Sequence, residues 1–138
     1  MSAIVQWSES NGAGEVVTDD ISNVNFGNVD SVNIVPANNP IIRGQNSFCK
    51  YIRAKFSGTY SEISNMLFWM SGGVLKSGET IKCGANVTYT TPSTSDTGDS
   101  DVPTSGESGA LEIDSAEGQD SIIEADSGVS GYTGYIRL

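Results

Sequence analysis

The sequence predicts an all-β fold: a single-domain antiparallel β-sandwich or jelly-roll-like barrel with long loops. Residues 81–89 alternate apolar and polar side chains throughout, which is typical of a strand with one buried face. Glycine, serine, threonine, asparagine and aspartate are abundant, as expected for many turns between short strands. A chain of 138 residues with 37% hydrophobic content fits one domain with a core of its own, so we assign residues 1–138 to one β domain.

The hydrophobic residues best suited to form a core lie in residues 48–89. Six of the 11 aromatic residues fall between residues 48 and 69, and six of the seven basic residues fall between residues 43 and 82. Residues 48–56 fit either a helix or a strand by spacing alone. Their β-branched and aromatic content and the Ser57-Gly58 stop favour a strand.

Shorter segments along the chain also predict strands. Apolar runs or alternation bounded by turn residues occur repeatedly on both sides of the 48–89 block. The bulky 65–70 run predicts a central strand packed on both faces, or a strand at a subunit contact. The C-terminal segment alternates apolar and polar side chains, so we expect it to pair within its sheet. The predicted strands are residues 4–7, 15–18, 59–63, 65–70, 111–113, 119–125 and 132–138.

Residues 90–109 differ in composition from the rest of the chain. They contain a single large apolar residue, Val102, and predict an extended acidic loop or arm, or the long crossover of a Greek key. Residues 1–90 carry seven acids and six bases, whereas residues 91–138 carry ten acids and only Arg137, so almost all of the net charge of −10 lies in the last third. This field disfavours binding to nucleic acids and anionic membranes.

A few residues are candidates for contact with a partner. Arg43, Lys50, Arg53 and Lys55 form the one basic cluster, which either docks on an acidic surface or consists of exposed strand positions balanced by local acids. Trp69 is a candidate interface residue but fits the core better, whereas Trp7 lies in a terminal segment and is the better interface candidate. From the terminal strand, we add Tyr135 and Arg137 to the predicted partner-binding residues.

The sequence carries no catalytic signature. It has no histidine, which removes Ser-His-Asp and Cys-His pairs and the commonest metal ligand, and we expect no enzyme activity, cofactor or metal. Asp96, Asp99 and Asp101 are hard oxygen ligands in close sequence, but the segment meets the EF-hand template only in part, so a solvated acidic loop is the better interpretation. Aromatic and asparagine content also permits a glycan-binding module.

Two further expectations concern the cysteines and the start of the chain. Cys83 fits a small buried apolar residue, with a disulfide to Cys49 as the alternative. The start, MSAIVQWSES, does not resemble a signal peptide, and no window approaches the roughly 18 apolar residues of a membrane span. We therefore expect synthesis in a cytoplasm.

Three segments carry a resemblance to a protein class. WSESNGAGEVVTDDISNVNFGNVDSVNIVPANNPI, the middle NSFCKYIRAKFSG with ISNMLFWMSGG and GETIKCGANVTYTTP, and the closing GYTGYIRL resemble small structural proteins of tailed bacteriophages. This resemblance implies a virion component, and capsid decoration (cement) proteins are similar in kind. It implies two partners, the major capsid protein and other copies of this chain in a trimer. It also implies the capsid surface as the location. A tail or neck accessory protein is the alternative within the same class.

Overall fold

The computed structural model describes residues 3–86, 88–96, 100–106, 109–113, 122–124 and 131–138, the 122–124 segment through its backbone pairing. All regular elements within these ranges are strands. They are β1 (Ala3–Asn11), β2 (Val16–Asp19), β3 (Tyr51–Gly58), β4 (Glu62–Ser64), β5 (Leu67–Phe68), β6 (Lys82–Asn86), β7 (Ser100–Asp101), β8 (Leu111–Glu112), β9 (Ile122–Glu124) and β10 (Tyr135–Arg137).

The predicted all-β fold is confirmed. Six strands form one antiparallel sheet in the order β2-β1-β3-β10-β6-β7, and two small ladders, β4-β9 and β5-β8, accompany it. The large sheet does not close on itself, so the sandwich-like alternative describes the molecule and the barrel does not. The part of the chain that is described contains no helix long and apolar enough to cross a membrane.

Strand β3 lies at the centre of the large sheet. It pairs along its whole length with β1, from Ala3 opposite Gly58 to Ser10 opposite Tyr51. On its other side it pairs with the C-terminal strand β10, which in turn pairs with β6. The choice of strand over helix for this segment is confirmed. So is the expectation that the terminal strand is tied into a sheet.

One face of the large sheet carries the main hydrophobic core. The alternate residues Ile52 of β3 and Ile136 of β10 are fully buried there, together with Met66 and Ile113 from the small ladders. Burying each such side chain stabilises the fold by roughly 1.5–3 kcal/mol. Partly buried side chains pack around this core: Ile21, Val24, Phe56, Tyr60, Ile63, Phe68, Leu111 and Leu138.

Two details of the 48–89 block were predicted wrongly. The 65–70 run forms only the two-residue strand β5, and Trp69 is exposed instead of lying in the core. In β6 the consecutive residues Cys83 and Gly84 are both buried and Ala85 is exposed, so the predicted alternation fails. Gly84 has no side chain to place on either face, and pairing with a strand on each side covers its backbone.

Candidate functional site

The second face of the large sheet carries a cluster of three tyrosines, Tyr51, Tyr89 and Tyr135, which we call the tyrosine cluster. Their ring centroids lie 5.1, 5.8 and 5.9 Å apart in tilted or edge-to-face arrangements. Such pairs stabilise a fold by about 0.5–1.5 kcal/mol beyond their buried area. The three hydroxyl groups donate to oxygens of Asp96, Gly12 and Glu15, respectively. Burial raises the pKa of Tyr135 to about 12, so this hydroxyl remains a donor at neutral pH.

Arg53 and Lys55 lie on the same face and are engaged within the molecule. The Arg53 guanidinium carbon lies 3.9 Å from the Tyr132 ring centroid and 4.7 Å from that of Tyr135, which is cation–π geometry. The Lys55 ammonium lies 2.6 Å from an Asp19 carboxylate oxygen. Hydrogen bonds from Lys55, and also from Ser8 and Tyr132, lower the pKa of Asp19 to about 2. These contacts favour the interpretation of a locally balanced charge for Lys55, whereas Arg53 packs on tyrosine rings.

Lys50 occupies a different environment, on the apolar face. Its ammonium bonds to Glu9 Oε1 at 2.6 Å and to the Ser31 carbonyl oxygen at 2.7 Å, and the Lys50 and Glu9 side chains are each only 1% exposed. The Asn11 side-chain nitrogen donates to Glu9 and to Asp30. Since Lys50 is enclosed, its place among the partner-binding residues is corrected: it forms a buried ion pair.

The acidic segment contributes to internal pairs. Arg137 donates to Asp96 Oδ1 at 2.7 Å, and the exposed Lys82–Asp101 pair spans 2.6 Å. Asp99 lies outside the described residues. In the described ranges no three acidic or cysteine side chains are grouped so that they could hold a metal ion. Asp96 therefore serves as an acceptor for internal donors in this structure.

Both cysteines are free thiols and buried, so they are not joined by the alternative disulfide. The Cys49 sulfur accepts a hydrogen bond from the Ser93 amide, and Cys49 packs in the same buried cluster as the three tyrosines. Burial raises the pKa of the Cys49 thiol, which keeps it protonated and unreactive at neutral pH. Neither cysteine is arranged as a nucleophile in the described structure.

The predicted partner-binding residues therefore divide into those engaged within the fold and those that are exposed. Arg53, Lys55 and Tyr135 come together on the tyrosine face, where Tyr135 is buried. Lys50 is buried on the opposite face, and Arg137 is held by Asp96. Only Arg43 and Trp7 of the seven are exposed, at different places in the fold.

Exposed apolar side chains form a surface patch that sequence reasoning missed. Ile41, Ile42 and Leu75 are exposed around an open depression of about 680 Å³, and we call these three residues the apolar rim. Arg43 and Lys82 line the same depression. The signal was present as paired isoleucines between Pro40 and a glycine turn, where no strand could bury both.

Comparison with known proteins yields no assignment: no protein-family model, curated protein or solved structure matches this chain.

Proposed function

We propose that this protein is a non-enzymatic virion structural protein that binds the outside of an assembled phage capsid and stabilises it, as decoration proteins do. One observation carries the proposal: the apolar rim is exposed around a depression and has the exposed Arg43 beside it. An apolar centre with an arginine at its border is the composition that protein interfaces favour. The partner proposed for this surface is the major capsid protein.

The remaining charged groups explain why we place the contact at the rim. Lys50, Lys55 and Arg137 are engaged with Glu9, Asp19 and Asp96, so docking through them would require breaking internal pairs. Arg43 lies on an exposed loop next to two exposed isoleucines and can meet an acidic group without that cost. A net charge of −10 otherwise repels acidic surfaces, which restricts contact to such neutral or basic places.

A decoration protein acts by mass action and needs no chemistry. A protein that binds the assembled lattice and not the free capsid subunit stabilises the lattice by the free energy of binding. Many copies of one modest interface are enough when the lattice repeats it. The sequence resemblance implies a trimer, and the mass of the assembly in solution tests that prediction against a two-fold dimer.

Binding to capsids stripped of accessory proteins tests the proposal. We expect the wild-type chain to co-sediment with such capsids, and the Ile42→Asp and Arg43→Glu variants to bind at least about tenfold more weakly, a loss of ~1.4 kcal/mol. Val16→Asp is the matched control, because Val16 is also exposed, at 67% against 54% for Ile42, but lies in β2, at the sheet edge away from β6, whose Lys82 lines the depression.

Absence of co-sedimentation would sink the decoration proposal. An electron-microscopy map of the virion with this chain at the tail or neck would replace it with an accessory role there. Clear hits on a glycan array would instead support a glycan-binding module on the virion. Binding that is equally weakened by the Val16→Asp control would show that the rim is not the contact.

A further inference from the structure

Strand β1 leaves half of one sheet edge open. Its C-terminal half, Ser8 to Asn11, pairs with β2 on one side and continues to pair with β3 on the other. Its N-terminal half, from Ala3 to Trp7, pairs with β3 alone. No strand of the described ranges lies beside it on the outer side. The edge strand of this sheet is therefore β1 itself over these residues.

The direction of the backbone groups along this edge follows from three hydrogen bonds. The Trp7 carbonyl oxygen accepts from the Ile21 amide at 3.0 Å, so the polar groups of Trp7 point away from β3. On β3, Phe56 and Ala54 bond to Gly131 and Thr133 on the far side, which agrees with that assignment. Because successive residues of a strand point their amide and carbonyl groups to opposite sides, those of Ala3 and Val5 also point outward.

This edge lacks the features that usually protect an open strand. Natural edges carry lysines, prolines, inward charges or bulges that prevent pairing with another chain. The AIVQW segment has no charge and no proline, and its pairing with β3 is regular without a bulge. Ile4 is 55% exposed and Val5 is 53% exposed. The edge is therefore competent for strand addition.

We propose that a second copy of this chain occupies the edge, with the two β1 strands antiparallel about a two-fold axis at Ile4. In this register Ala3 of each copy lies opposite Val5 of the other. The outward amide and carbonyl groups of these two residues then form about four main-chain hydrogen bonds across the axis. The two Ile4 residues face each other as a non-hydrogen-bonded pair with Cα atoms about 4.5 Å apart.

Self-complementarity favours a second copy as the occupant, and the absence of charge on this segment permits it. Each chain carries a net charge of −10, so two copies repel at most surfaces, but no side chain from Ala3 to Trp7 is charged. An acidic or basic partner would find no complementary charge on this segment. The register also uses the same outward groups from both chains, as a self-complementary, isologous contact requires. Two six-stranded sheets are thereby joined into one.

Disulfide trapping tests the register directly. Ile4→Cys places two thiols opposite each other at a separation that a disulfide spans, whereas Val5→Cys does not bring the two introduced thiols opposite each other. We expect the Ile4→Cys dimer to form at least about tenfold faster than the Val5→Cys dimer under mild oxidation. The native Cys49 and Cys83 are buried, are not joined by a disulfide and are the same in both variants, so they act as an internal constant.

Sedimentation velocity tests the assembly without a cross-link. Wild type is expected to sediment as a dimer at about 100 µM, and Ile4→Lys as a monomer because like charges then face each other across the axis. Val74→Lys, at a residue 96% exposed elsewhere, should remain a dimer. Circular dichroism verifies that each variant is folded.

Three outcomes overturn the proposal: a monomeric wild type at that concentration, equal trapping rates for the two cysteine variants, or a trimer whose mass is insensitive to Ile4→Lys. The proposal is independent of capsid binding, since the apolar rim and the β1 edge are at different places in the fold. A wild type that stays monomeric but still binds capsids would overturn this inference alone.

Discussion

Replacing Lys50 with methionine should be among the most destabilising single changes in this protein. The Lys50 ammonium lies 2.6 Å from Glu9 Oε1, and both side chains are only 1% exposed. Methionine fills a similar volume but leaves the Glu9 carboxylate buried without a counter-charge and the Ser31 carbonyl without its donor. Removing one partner of a buried pair typically costs about 3–5 kcal/mol.

The double replacement Glu9→Met with Lys50→Met gives the second arm of the same test. Two apolar residues need no counter-charge, so we expect the pair of changes to restore most of the loss, to within about 1–2 kcal/mol of wild type. The matched control is Lys82→Met. Its ion pair with Asp101 has the same length, but the side chains are 44% and 78% exposed, so the expected cost is below about 1 kcal/mol.

Urea unfolding followed by tryptophan fluorescence measures these differences, at one fixed protein concentration. The result that refutes the reasoning is a Lys50→Met cost no greater than that of Lys82→Met. It would mean that the Glu9 carboxylate is hydrated in the folded protein and that this ion pair does not hold β1 against the residue before β3. A double variant less stable than Lys50→Met alone would equally contradict it.

Three further predictions follow from single contacts. Because Lys55 holds the folded-state pKa of Asp19 at about 2, below its ordinary value of 3.8, the stabilisation is present above pH 4 and is lost as pH falls towards 2. We expect this stabilisation to add about 1 kcal/mol to the free energy of unfolding after solvent screening. It is measured as the difference in that free energy between wild type and Asp19→Asn across this pH range, and the same pH profile for both proteins would contradict the prediction. Gly131→Ala should lower the free energy of unfolding by at least about 2 kcal/mol. The φ of +70° at Gly131 disfavours a side chain, and the added Cβ would lie 2.3 Å from the Phe56 carbonyl oxygen. The control is Gly14→Ala, which has open space for the added Cβ and should be neutral. Both cysteine thiols should react with a disulfide reagent only after unfolding; fast reaction of the folded chain would show that they are accessible.

Several contacts that define the candidate sites could not be predicted from sequence. In a strand over residues 48–56, alternation puts Lys50 on the same side as Ile52, but a lysine on an apolar face normally extends to water. It is buried because β1 brings Glu9 to it across 41 residues of sequence. Similarly, Tyr135 meets Glu15 across 120 residues. Such pairings depend on strand order, which local periodicity does not contain.

The sequence by itself determined the fold class and most strand positions. Side-chain alternation and turn residues act over two to five neighbours, so they are readable without a partner strand. It also determined the charge asymmetry between residues 1–90 and residues 91–138. Tertiary structure decided which strands lie beside β3, and with them which charges are buried, which tyrosines cluster and which edge is left open. Those outcomes depend on hydrogen bonds and packing between distant segments, which exist only once the chain has folded.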